Sequence, residues 1–308
     1  MPLLTYDEFP ATAPVGGSIR EDLLDFIENI SPTDTPLMNN LGQVGVNAGY
    51  VEYQTDTLTA AAANAFLEGA AATDQALGVP TRTASIVQNF QKHFWVSRRQ
   101  QAVRHAGLSS QMSYQEIKRT KEIKNDVELA LHRGSAVTGN TDVAPNMAGV
   151  LNIATTYNTD SSGTTLTERQ FNDYLVQSFS TPVNLREAYL NMRLKRTLNG
   201  YTTNTQRFLS ANDKKQVDII EVYESEQGLL GLFKSRYQLE SASNTLSGNS
   251  FAVLDPSFWK IGSLRSFRTE RLGLDGDRDR SFIVGELTLI ARHEAAGVIV
   301  TNAVANLP

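Results

Sequence analysis

The chain contains no cysteine among its 308 residues. Disulfides and thiolate metal sites are therefore excluded, which suits a reducing cytoplasm. Histidine is scarce: the four, His93, His105, His132 and His293, are scattered, and no pair has a metal-ligand spacing such as H-E-x-x-H. No run of about 18 apolar residues occurs, so no membrane-spanning helix and no membrane partner are expected. The opening "MPLLTYDEFPATAP" has neither a basic nor an apolar stretch of the kind a secretory signal needs. P-loop, G-x-G-x-x-G and G-x-S-x-G motifs are missing, so neither phosphate cradling nor a serine nucleophile is indicated. Large side chains are nearly absent from Ala60 to Ala76, where nine of seventeen residues are alanine.

What is present reads as a globular chain, with 41% hydrophobic and 20% charged residues. The net charge of −5 is unevenly spread. Residues 1–91 carry eleven acidic and two basic groups, whereas residues 92–135 carry nine basic and four acidic ones. Opposite charge in neighbouring blocks can steer one copy of a chain onto another. The basic block, with Arg98, Arg99, Arg104, Lys118, Arg119, Lys121 and Lys124, also suffices for nonspecific phosphate contacts. No recognised nucleic-acid-binding motif accompanies it.

Along the chain, "SIREDLLDFIENISP" (18–32) predicts an amphipathic helix with Leu23, Phe26, Ile27 and Ile30 on one face. Residues 50–58 alternate as a strand and 81–97 as a second. Together they predict a long hairpin whose small-residue tip cannot bury anything. "SYQEIKRTKEIKNDVELALHRG" (113–134) predicts a long helix with Ser113 and Glu116 as capping box and Gly134 at its end. Its apolar stripe is Ile117, Thr120, Ile123, Val127, Ala130 and Leu131, and its charges pair as Lys118–Glu122 and Lys124–Glu128. Helices are expected at 167–179, capped by Thr167 with Gln170, and at 185–199. The pattern then turns to period two: a hairpin around "SEQG", strands at "SFAVLD" and "WKIGSLRSFRTERL", and a closing apolar run with turns at Gly285 and Gly297. Helices and strands mix without a βαβ rhythm, which predicts an α+β fold.

One stretch matches a metal register. "DGDRDRSFIVGE" places Asp275, Asp277, Asp279 and Glu286 at positions 1, 3, 5 and 12 of a calcium loop, but Arg280 stands where the sharp turn needs glycine. The competing reading is an Asp-Gly hairpin turn. No catalytic residues and no cofactor are indicated.

The wording of "IREDLLDFIENISPTDTPLMNNLG", "YVEYQTDTL" with "NAFLEGAAAT", "KHFWVSRRQQAVRHAG" and "ELTLIARHEAAGVI", in this order, resembles the major capsid proteins of tailed bacteriophages, with the Hong Kong 97-type fold. The resemblance implies an N-terminal arm at 1–48 and an extended E-loop at 49–97. It implies a peripheral domain at 98–165 with the spine helix at 113–134, an axial domain at 166–275 and a return to the peripheral domain at 276–308. It further implies pentamers and hexamers of this chain forming an icosahedral head around double-stranded DNA, assembled in the host cytoplasm. A separate scaffolding protein, portal and decoration proteins would be the partners. Contacts between subunits are expected at Ile19, Leu23, Phe26, Tyr53, Phe66, Glu68, Arg98, Arg99, Lys118 and Lys121. Some such shells cross-link through an E-loop lysine; here the first lysine is Lys92, so that chemistry is not expected. The alternative is another virion component, a decoration or tail protein forming a discrete ring.

Overall fold

The structure is a computed structural model describing residues 31–69, 71, 78–103, 110–201, 221–238, 248–273 and 276–305. The predicted helix at 18–32, with Ile19, Leu23 and Phe26, lies outside the described residues but for its last two positions. The elements begin with helix α1 (Pro36–Asn40) and strands β1 (Gly42–Gly45), β2 (Tyr50–Thr55), β3 (Thr81–Ile86) and β4 (Gln88–Ser97). Helices α2 (Arg98–Ala102), α3 (Gln111–Arg133) and α4 (Val150–Ile153), strand β5 (Tyr157–Asp160), helix α5 (Glu168–Val176), strand β6 (Glu187–Leu190) and helix α6 (Met192–Asn199) follow. Strands β7 (Val222–Ser225), β8 (Gly228–Lys234), β9 (Asn249–Leu254), β10 (Trp259–Arg271), β11 (Arg278–Ala291) and β12 (Gly297–Ala303) complete the chain.

Two sheets carry the body. The first has the order β1-β10-β11-β4, and the second β5-β12-β9-β6-β8-β7. α3 lies on the first sheet: Phe90, Phe94 and Val96 of β4 point inward and are buried, as are Ile123, Val127 and Leu131 of the helix. The second sheet is filled by Phe171, Tyr189 and Phe251, all fully buried. Trp259 joins the two regions, its indole N–H donating to the Ala296 carbonyl at 3.0 Å.

Several expectations are corrected. The arm at 81–97 is two strands: β3 pairs with β2, while β4 leaves the hairpin and pairs with β11. The break is at Val87, which is buried next to Ile86, so the alternation changes phase there. The long helix begins earlier than predicted, and its N-cap is Ser110, whose hydroxyl accepts from the Ser113 N–H. Ile117 is exposed, off the buried stripe. Glu122 pairs with Arg119 at 2.5 Å instead of Lys118, and Glu128 is not a surface partner of Lys124 at all. Residues 185–199 are not one helix: Glu187–Leu190 form a central strand before α6. Gly285 is not a turn; it sits within β11, where any Cβ would overlap the Phe267 ring. The Thr167–Gln170 capping box is present in both directions, although Phe179 beyond that helix is exposed. The "SEQG" hairpin is β7–β8, with Ser225 opposite Gly228.

The calcium register does not form a loop. Residues 278–291 are a single strand, so Asp279 and Glu286 are separated by about 23 Å at roughly 3.3 Å per residue. Asp279 pairs with Arg98 at 3.5 Å and Glu286 with Arg265 at 2.6 Å. Asp275 lies outside the described residues.

Candidate assembly surface

The hairpin β2–β3 forms a sheet of its own, with Tyr50 opposite Ile86 and Thr55 opposite Thr81. A two-stranded ribbon is marginal alone, and this one is tied down at its base. Val87 N–H donates to the Gly49 carbonyl at 3.0 Å, and the Thr288 hydroxyl to the Ile86 carbonyl at 2.8 Å. The Tyr50 and Thr138 hydroxyls lie 3.0 Å apart. Tyr53 turns toward the body: burial pushes its hydroxyl above the usual tyrosine range, aided by the Glu294 charge and opposed by hydrogen bonds from Ser85 and the Ala291 backbone.

Between the hairpin and the body opens a cleft of about 1290 Å³, whose walls include Tyr50, Tyr53, Ile153, Phe258 and Glu294. The Glu294 carboxylate is engaged by the hydroxyls of Thr155 and Thr156 at 3.3 and 2.8 Å. The His293 ring packs edge-on against Phe258. Beyond Thr55 the chain is exposed through Gly69, and Leu58, Phe66 (70%) and Leu67 stand in solvent. Each such apolar group left in solvent forgoes on the order of 1.5–3 kcal/mol of burial, and a contiguous set of them marks a contact surface. Glu68 lies beside them, also exposed.

The basic region separates into two places. Lys118, Lys121 and Lys124 are exposed along α3, while Lys92 is paired with Asp126 at 2.7 Å. Arg98 and Arg99 belong to α2, at the end of β4, where the Arg98 N–H donates to the Asp277 carbonyl at 3.2 Å. Nearby, the Arg278 guanidinium sits 5.7 Å from the centroid of the exposed Trp95 ring. This rim, formed by the β10–β11 hairpin with the end of β4, was not singled out from the sequence. Only the cross-strand register reveals it, by setting Trp95 opposite Arg280. Among the described residues, no group of three or more histidine, aspartate or glutamate side chains is arranged to hold a metal.

A long helix on a four-stranded sheet, a second mixed sheet and a projecting hairpin define a Hong Kong 97-type shell protein. The same architecture occurs in the capsid of cyanophage A-1(L), with TM-score 0.71 at 11% identity over 92% of this chain and 97% of that one. The capsid of the native GTA particle, computed with C5 symmetry, gives 0.66 at 12% identity, covering 96% and 99%. The SrpI encapsulin of Synechococcus elongatus gives 0.59 at 11%, covering 94% of each. In sequence, residues 4–304 match the SU10 major capsid protein model, and the chain belongs to that family. It is also 31% identical, over 115 residues, to the major capsid protein of Escherichia phage Phieco32; the match spans 37% of this chain and 33% of that protein.

Proposed function

We propose that this chain is the structural unit of an icosahedral phage head, assembling through pentamers and hexamers around double-stranded DNA and performing no catalysis. The observation that carries the reading is the β2–β3 hairpin, anchored at its base and exposing Leu58, Phe66 and Leu67 beyond any cover from the described residues. A neighbouring subunit supplies the cover. Small side chains at the tip permit close approach of backbone to backbone. On this reading Phe66 and Glu68 contact the next subunit, Arg98 and Arg99 lie at a contact rim, and Lys118 and Lys121 face either a neighbour's acidic arm or packaged DNA. A separate scaffolding protein, a portal and decoration proteins complete the assembly.

Expression of the chain alone, size-exclusion chromatography with light scattering and negative-stain microscopy of the heaviest fraction test the proposal. Hollow shells, or five- and six-membered rings that convert to shells, are the expected outcome. A discrete ring that never closes would assign the chain to another virion part. Failure to form shells even with a co-expressed scaffold would overturn the reading.

A further inference from the structure

Glu128 is fully buried on the face of α3 that packs against the body. Both of its oxygens are used by backbone 90 residues away: Leu37 N–H donates to Oε1 and Met38 N–H to Oε2, each at 2.8 Å. These N–H groups open α1, whose N-cap Thr35 makes no side-chain cap bond. Five residues cannot sustain a helix unaided, so the spine helix supplies the missing cap from outside. The seat is reinforced by Asn125 Nδ2 donating to the Pro32 carbonyl at 3.1 Å, by Asp34 beside Arg236 and Lys234 at 3.5 and 4.0 Å, and by Asn40 Nδ2 donating to the Tyr189 hydroxyl at 3.2 Å.

From Glu128 the polar contacts continue inward. His132 Nε2 lies 3.3 Å from Glu128 Oε1 and 2.9 Å from Ser235 Oγ. Gln238 Nε2 lies 3.2 Å from His132 Nδ1, and Gln238 Oε1 accepts from the Ser250 hydroxyl at 3.1 Å. The Arg133 guanidinium donates to the Gln238 carbonyl. The Gln238 amide thus bridges His132 and Ser250. Glu128, His132, Ser235, Gln238 and Ser250 are all buried. A buried polar chain of this kind is stable only when complete: removing one member strands the next without a partner.

We propose that this chain is a latch that makes the seat of the N-terminal arm, the C-terminal third of α3 and the β8–β9 side of the second sheet one conformational unit. The arm cannot leave Glu128 without stranding a buried carboxylate. A rearrangement at Ser235 or Gln238 reaches the arm through His132. The inference concerns the subunit itself and holds whether or not the protein forms shells.

Amide hydrogen exchange on the full-length chain tests it, in whatever assembly state it is purified. Glu128→Gln leaves one acceptor and turns an amide N–H toward the second donor. Exchange at Leu37 and Met38 should then accelerate at least about tenfold, with the core amide of Val253 unchanged. Ser235→Ala, outside the arm and outside α3, should also accelerate Leu37 and Met38, by about threefold or more. If Ser235→Ala leaves both arm amides at the wild-type rate, the coupling is refuted. Equal acceleration at Val253 would mean general destabilisation and would refute it as well. Should the Glu128→Gln chain fail to fold, Ser235→Ala alone decides.

Discussion

Asp160 ends β5 and accepts from the Ser162 N–H at 2.8 Å and from Asn302 Nδ2 at 2.9 Å. Both donors belong to residues with positive φ, 50° for Ser162 and 55° for Asn302. One carboxylate therefore holds two uncommon backbone conformations. The Ser162 hydrogen bond first, and the Asn302 side chain second, keep its carboxyl below the usual carboxylate range. A lowered folded-state pKa gives a contribution that is complete above the unfolded-state value and lost as pH falls through the folded one. Asp160→Ala should lower the Tm at neutral pH, and its difference from wild type should shrink below about pH 4. Differential scanning fluorimetry across that range checks the trend. The Asn302 contact was not legible in "TYNTDSSGTT", because its donor is 142 residues away.

At the scale of elements, the readable parts were those whose signals are local. The Thr167–Gln170 box, the β7–β8 turn and the stripe Ile123, Val127, Leu131 are written within a few residues of one another. For the long helix α3 the sequence pointed to Ser113 as cap, whereas the side chain that accepts at its start is Ser110. Geometry selects Ser110, so Ser110→Ala should cost about 0.5–1 kcal/mol in urea unfolding and Ser113→Ala close to nothing. The misread element was 185–199. Leucine, alanine, glutamate and arginine favour helix, yet Ala188, Tyr189 and Leu190 are buried between β8 and β9, and pairing on both edges outweighs the local preference. The phase change at Val87 was likewise hidden, because it depends on which strand each half pairs with. The hairpin offers a direct test. Deleting Ala60–Ala76, whose described residues are exposed, should leave a subunit with wild-type far-UV circular dichroism that no longer forms stable shells by electron microscopy. Loss of the folded subunit would mean that the segment packs internally.

For the whole molecule, the order and wording of the segments were enough to suggest the fold by resemblance, whereas surface pairs set by strand register were not legible. Trp95 and Arg278, for example, come together only through strand register. Glu128 was hidden because a glutamate four residues from a lysine reads as an exposed ion pair. The charge asymmetry between residues 1–91 and 92–135 predicts assembly that depends on ionic strength. Raising salt from about 0.1 M to about 1 M shortens the screening length from about 10 Å to about 3 Å. The initial rate of shell formation, followed by light scattering, should fall over that range; an unchanged rate would leave the asymmetry without a role in association.

The way the chain closes its two sheets bears on synthesis. β11 joins β10 to β4, and six residues beyond it β12 enters the second sheet between β5 and β9. Neither sheet is complete until residues 278–303 are available. A nascent chain shorter than this leaves β4 and β5 without their partners and β9 paired with β6 alone. Unpaired strands are templates for pairing with another chain, so β11 and β12 end the nascent chain's exposure to mispairing.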